Sequence, residues 1–137
     1  MDTNDLYEKL LAINVIHFGN YVLKGGLATP VYIDLRKVIS YPRTLAAVAE
    51  EIWKRIQGTG LKFDCICGVP YAALPIATCL CINHNLPMVI QRKEVKTHGT
   101  KKLVEGEIKT GSTCLIVEDV VTSGASIIDT AKVCDTF

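Results

Sequence analysis

The sequence has no excess of charge of either sign. In 137 residues, 15 Lys and Arg face 14 Asp and Glu, a formal charge of +1. That balance argues against a uniformly basic nucleic-acid coat and against an acidic solvating tail. No apolar run approaches the ~18 residues that suggest a membrane span. The opening MDTNDLYEKL is polar and acidic and lacks the form of a secretory signal. There is no internal repeat and no low-complexity stretch. The residues present are 49% apolar and 21% charged, too apolar for disorder, and the length is close to the commonest size of one domain. The expectation is a single domain over 1–137, soluble and cytoplasmic, with no nucleic-acid or membrane partner.

Six cysteines occur: Cys65, Cys67, Cys79, Cys81, Cys114 and Cys134. None has the C-x2–4-C spacing of structural zinc pairs. The close pairs are C-x-C and lie in the apolar runs DCICGV and ATCLCI. They read as reduced, mostly buried small hydrophobes, with zinc or disulfides as the alternative.

Along the chain, Leu6, Leu10, Leu11 and Ile13 give a helical stripe over 3–14, with Thr3 or Asn4 as cap. Two β-rich runs, 16–23 and 31–35, flank Lys24-Gly25-Gly26 as a hairpin. Pro42 opens a helix to about 57, ended by Gly58. Buried strands are predicted at 63–69, 86–91 and 113–118, with a helix at 72–83 and another from about Ser126. Trp53, His17 and His84 read as packing residues. Apolar strands alternating with helices predict an α/β fold with a parallel sheet covered on both faces. Ligands then bind beyond the carboxyl ends of the strands, after Val69, Gln91 and Glu118.

The third of these ends reads LIVEDVVTSGAS. An apolar strand leads into Glu118 and Asp119, then Val120 and Val121, then Thr122, Ser123, Gly124, Ala125 and Ser126 at a helix start. Gly124 allows positive φ and close backbone approach. Unpaired N–H groups and the helix dipole there favour an anion. Carboxylates cannot take a phosphate themselves, but they suit sugar hydroxyls or a water-bridged magnesium. Together the two features suggest a ribose 5-phosphate site. The second end, 91–109, carries six cations, Arg92, Lys93, Lys96, Lys101, Lys102 and Lys109, against three glutamates. Gly99 and Gly106 give it room to flex, so it could close over a polyanion.

The EDVVTSGAS segment resembles the ribose-phosphate signature of type I phosphoribosyltransferases, which use phosphoribosyl pyrophosphate (PRPP). RKEVKTHG, with Arg92, Lys93, Glu94, Lys96, His98 and Gly99, resembles the catalytic loop of the orotate phosphoribosyltransferases. GVPYAALP resembles that family's pyrophosphate loop, in the form seen in the orotate domain of bifunctional UMP synthases of animals. Many bacterial members have a lysine where this chain has Ala72. FGNYVLKGGLATPVYIDLR resembles the family's N-terminal hairpin hood.

The resemblance implies transfer of the phosphoribosyl group from PRPP to orotate, giving orotidine 5′-monophosphate and pyrophosphate in UMP biosynthesis. It implies Mg2+ held mainly through PRPP, with no direct protein ligand, and a homodimer whose 92–109 loop reaches the neighbouring site. Arg92, Lys93, Lys96, His98 and Asp119 fall at catalytic positions. Glu118 through Ser126 fall at the ribose and 5′-phosphate positions. Lys24, Tyr32, Ile33, Tyr71 and Ala72 fall on the pyrophosphate and orotate side. The family's fold continues past residue 137, with an orotate-recognising arginine on a later strand for which no residue here is assigned. The resemblance thus leads us to expect a partial domain, incomplete at its C-terminus and without a decarboxylase domain. The alternative expectation is a truncated, non-catalytic product that at most binds PRPP or a full-length partner.

Overall fold

The structure, a computed structural model, describes residues 2–94 and 103–135. Helix α1 (Thr3–Ala12) is capped by Asp2, whose carboxylate accepts from the Asn4 amide at 2.6 Å. The cap is thus one residue earlier than Thr3. Strands β1 (Ile16–Val22) and β2 (Ala28–Ile33) pair antiparallel in a separate two-stranded sheet, with an irregular register between Phe18 and Tyr21. A short 3-10 helix, Leu35–Ser40, leads into α2 (Pro42–Thr59). Pro42 starts α2 as expected. The helix runs past Gly58 and ends at Gly60, whose φ of 71° supplies the left-handed cap.

The main sheet holds β3 (Cys65–Gly68), β4 (Met88–Gln91), β5 (Val104–Glu105) and β6 (Cys114–Val117) in the order β5-β4-β3-β6. β4, β3 and β6 run parallel, while β5 folds back antiparallel on β4. The expected parallel sheet is therefore mixed. Most of the cationic stretch between β4 and β5, including Lys96, His98, Gly99, Lys101 and Lys102, lies outside the described residues. Helix α3 (Leu74–His84) follows β3, and α4 (Ala125–Cys134) follows β6.

One face of the sheet packs on α1, α2 and α3. There Ile66, Ile76, Leu80, Ala49 and Val117 form the larger core. Each large aliphatic side chain buried here is worth roughly 1.5–3 kcal/mol. The other face joins Cys65, Cys67, Val89 and Val104 to Ile108, Cys114, Val133 and Cys134. All six cysteines are free thiols. Cys65, Cys67 and Cys81 are buried, and the other three are half-buried. Burial pushes the Cys67 thiol up to about 12, which suits packing rather than reactivity. The expected burial of 113–118 is incomplete. Cys114, Leu115 and Ile116 are only half-buried because β6 is the outer strand of the described sheet. Trp53 stacks on His84 at 3.9 Å, and His84 Nε2 lies 3.1 Å from Glu50 Oε1.

Gly106 has φ of 99°, and a Cβ there would lie 2.8 Å from the Met88 carbonyl oxygen. Gly106→Ala is expected to lower stability by about 1–3 kcal/mol through strain and backbone clash. Denaturant unfolding of the variant against the parent measures this.

Candidate active site

The parallel pairing of β3, β4 and β6 brings three strand ends to one edge. At the end of β3, the Val69 amide donates to the Val117 carbonyl at 2.9 Å, tying the loop after β3 to the end of β6. Tyr71 in that loop is 69% exposed, and Ala72 beside it is half-buried. Gly68 permits the loop and α3 to fold back closely: a Cβ there would lie 3.0 Å from both Ala73 O and the Ala77 methyl.

At the end of β4, two adjacent cations part company. The Arg92 guanidinium pairs with Glu105 of β5 at 2.8 Å, and the Arg92 amide donates to Leu103 O at 2.7 Å. Lys93 instead places Nζ 4.5 Å above the Tyr71 ring centroid, a cation–π contact that joins the second strand end to the first. Lys96 and His98 lie outside the described residues.

At the end of β6, Glu118 and Asp119 are half-buried. The Asp119 amide donates to Glu118 Oε1 at 3.0 Å. Burial is the main cause that raises Glu118 from its ordinary 4.5 to about 7, and the adjoining Asp119 pushes the same way. The Lys93 charge opposes the rise, which places Lys93 within electrostatic reach of the acidic pair. Val120 comes next, half-buried, and Val121, Thr122 and Ser123 are exposed.

Gly124 caps α4 with φ of 77° and brings no side chain of its own to the cap. Ile128 is the first residue of α4 whose amide reaches a helical carbonyl, Gly124 O at 3.0 Å. The Ala125 amide donates to Ser123 Oγ at 3.4 Å, the amides of Ser126 and Ile127 take no partner among the described residues, and Thr122, Ser123 and Ser126 are exposed. Open amides at a helix start favour an anion, and two carboxylates precede this one in the chain.

Two supports are not evident from the sequence. Thr130 Oγ1, on buried Thr130, lies 2.6 Å from Gln91 Oε1 and 2.9 Å from Ser126 O, so it pins α4 to the end of β4. A Thr four residues after Ser126 is the only local signal of this. The second support lies on the hairpin side. Arg36 Nε donates to Asp34 at 2.6 Å and Arg36 Nη2 to the Tyr32 hydroxyl at 3.0 Å. Tyr32 also meets Tyr21 at 5.4 Å and His17 at 6.1 Å. Ile33 is exposed at the end of β2, and Lys24 is exposed in the hairpin turn.

A mixed α/β sheet whose outer parallel strand ends in paired acids and an open helix start has the form of a phosphoribosyl transferase domain, and the family model of that description matches residues 38–135. Over 128 residues the chain is 52% identical to uridine 5′-monophosphate synthase of Bos taurus, covering 93% of this chain and 27% of that protein. Over 129 residues it is 38% identical to orotate phosphoribosyltransferase of Pyrococcus furiosus, covering 94% of this chain and 71% of that protein. The solved structure of Leishmania donovani UMP synthase superposes with a TM-score of 0.84 at 35% identity, over 97% of this chain and 28% of that one. The chain belongs to the orotate phosphoribosyltransferase family. It spans only part of several relatives: 27% of the bovine protein, and 56% and 60% of two orotate phosphoribosyltransferases.

Because Glu118 binds its proton more tightly in the fold than in the unfolded chain, it costs stability as pH rises from about 4.5 to 7 and costs nothing below that window. Glu118→Gln removes this cost. Its thermal midpoint is therefore expected to rise relative to the parent's as pH goes from about 5 to 7.5. An offset between the two that stays constant over that range would show an ordinary Glu118.

Proposed function

We propose that this chain carries the PRPP-binding and orotate-facing part of an orotate phosphoribosyltransferase, which converts PRPP and orotate to orotidine 5′-monophosphate and pyrophosphate. The observation that carries the reading is the anion cradle at the start of α4 beside Glu118 and Asp119. The open amides of Ser126 and Ile127 and the hydroxyls of Thr122, Ser123 and Ser126 bind the 5′-phosphate. Glu118 and Asp119 accept hydrogen bonds from the ribose hydroxyls.

Breaking the anomeric bond leaves an electron-poor ribose carbon and a highly anionic pyrophosphate. Lys93, and from the adjoining stretch Lys96, neutralise that leaving group. His98, in the same stretch of sequence, is the proposed proton donor, an imidazole being suited to that task near neutral pH. Tyr71 and Ala72 border the pyrophosphate, whereas Lys24, Tyr32 and Ile33 face the orotate ring.

The donors beside the cradle are carboxylates and hydroxyls, which suit a hard cation. Among the described residues, no group of three or more His, Cys, Asp or Glu is placed to hold a metal by itself. Glu118 and Asp119 would therefore hold Mg2+ through water and through the substrate's own oxygens. When bound, Mg2+ supplies positive charge to the pyrophosphate. The proposed assembly is a homodimer with the 92–109 segment reaching the neighbouring site, and the proposed compartment is the cytoplasm. No described helix is long and apolar enough to cross a membrane.

The half-exposed outer strand β6 favours a second reading, in which this stretch binds PRPP without turning it over. Orotate-dependent pyrophosphate release by this chain, measured beside PRPP titration, separates the two. Release above background supports transfer, and PRPP binding without release supports the second reading. Absence of both overturns the phosphoribosyl site itself. Within the active protein, Lys96→Ala is expected to lower kcat by about a hundredfold while changing PRPP affinity far less, because it acts on charge that develops late. Equal losses in both would contradict that role.

A further inference from the structure

Helix α2 begins at Pro42, which has no N–H, after Tyr41, whose side chain makes no cap hydrogen bond. Leu45 is the first residue of the helix whose amide reaches a carbonyl, Tyr41 O at 2.9 Å. The amides of Arg43 and Thr44 take no partner among the described residues. Such a start favours an anion, but water serves exposed amides as well. Thr44 makes this start different. It is 6% exposed, yet its hydroxyl takes no hydrogen bond among the described residues. The other buried threonine, Thr130, bonds Gln91 and Ser126. Among the described residues, no fully buried side-chain oxygen or nitrogen is left without a partner. The unbonded Thr44 hydroxyl is therefore a part of the residue that still opens outward, toward the cavity of about 540 Å³ that Thr44 lines. A hydroxyl so far withdrawn from water costs stability until something in the cavity bonds it.

The lining of that cavity sets the sign of its ligand. It includes Lys9 and Arg43 and the hydroxyl-bearing Tyr41 and Thr44, and it holds no acid. Lys9 is matched by Asp5 at 3.2 Å. Arg43 is exposed and has no ion pair among the described residues. The acids of α2 are engaged elsewhere, Glu51 with Arg55 at 3.1 Å and Glu50 with His84 at 3.1 Å. The surplus is a guanidinium beside two open amides and a hydroxyl. A phosphate, with three terminal oxygens and up to two charges, uses more of these donors than the two oxygens of a carboxylate. We propose that the start of α2 is a second anion site, which takes a phosphate or phosphomonoester group. The Arg43 and Thr44 amides and the Thr44 hydroxyl bind its oxygens, the Arg43 guanidinium neutralises it, and the rings of Tyr41 and Pro42 border the body of an ester. The site lies at a different helix start from the one after β6 and does not depend on the phosphoribosyl reading.

The test follows the backbone amides of this chain by NMR during titration with inorganic phosphate and with phenyl phosphate, against sodium chloride at equal ionic strength. Both phosphates are expected to shift the Arg43 and Thr44 amides saturably, with a dissociation constant on the order of 1 mM. Chloride is expected to leave them in place. Tighter binding of phenyl phosphate supports a phosphomonoester with the rings against its body, and equal binding supports a site for the phosphate group alone. Arg43→Gln is expected to weaken binding about tenfold, the worth of one charge-assisted contact. Thr44→Val keeps the shape without the hydroxyl and is expected to weaken it about threefold. If the Val variant does not fold, the exposed Arg43→Gln decides. The response of the Ser126 and Ile127 amides is expected to be the same in the parent and both variants. The assignment is overturned if the Arg43 and Thr44 amides fail to saturate, if chloride moves them as far, or if Arg43→Gln binds as the parent does. Each of those results leaves the phosphoribosyl reading standing, since that reading is followed at Ser126 and Ile127.

Discussion

The parallel pairing of β3 with β6 is the constraint on which the site depends. Its register sets Gly68 opposite Val117, and the Val69 amide extends the ladder by one bond to Val117 O. Both strands therefore leave the sheet at the same height. Beyond β3 the chain makes a tight turn, possible because Gly68 has no Cβ to strike Ala73 or Ala77. Beyond β6 it passes through the acidic pair into a helix whose cap residue, Gly124, has no side chain. An open helix start, two carboxylates and an exposed tyrosine meet at one edge because two short strands end together.

The electrostatics of that edge are a balance of opposites held close. Glu118 is raised to about 7 mainly because it is partly withdrawn from water, with Asp119 adding to the effect. Lys93 pulls the other way. On the hairpin side, Asp34 and Arg36 form a pair of their own, and Asp119 lies within its reach. On the proposed reading, a polyanionic substrate entering here would meet acids already matched by nearby cations. Such matching is how a chain of formal charge +1 would offer the proposed anion site without a broad basic surface.

Much of this is legible in the residues. VEDVVTSGAS can be placed at a strand end because a four-residue apolar run, two acids and a glycine turn admit few other arrangements. The helix start near Ser126 is marked by Gly124. Other features are not legible because they depend on pairing partners distant in sequence. Strand β5 has only Val104 and Glu105, and nothing local marks it as antiparallel to β4. The half-exposure of CLIV in β6 is a matter of sheet order, which an apolar run does not encode. Asp34-Leu35-Arg36 reads in the sequence as the polar end of a hairpin. Only the fold shows its arginine gripping Tyr32.

The separation of Arg92 from Lys93 shows how strand geometry can divide two like residues between two tasks. As β4 leaves the sheet, consecutive side chains turn to opposite sides. Arg92 is directed along the ladder to Glu105, where its fork closes the β4–β5 pair. Lys93 is directed to the carboxyl edge and over Tyr71. A planar five-donor group suits the fixed partner, and a compact ammonium on a flexible stem suits the edge where, on the proposed reading, an anion would be met and released. Ala72 lies in the turn next to Tyr71, so the turn itself brings no cation to this edge. Lys93 on the Tyr71 ring supplies one from the neighbouring strand, and the aromatic face holds that charge in place at little desolvation cost.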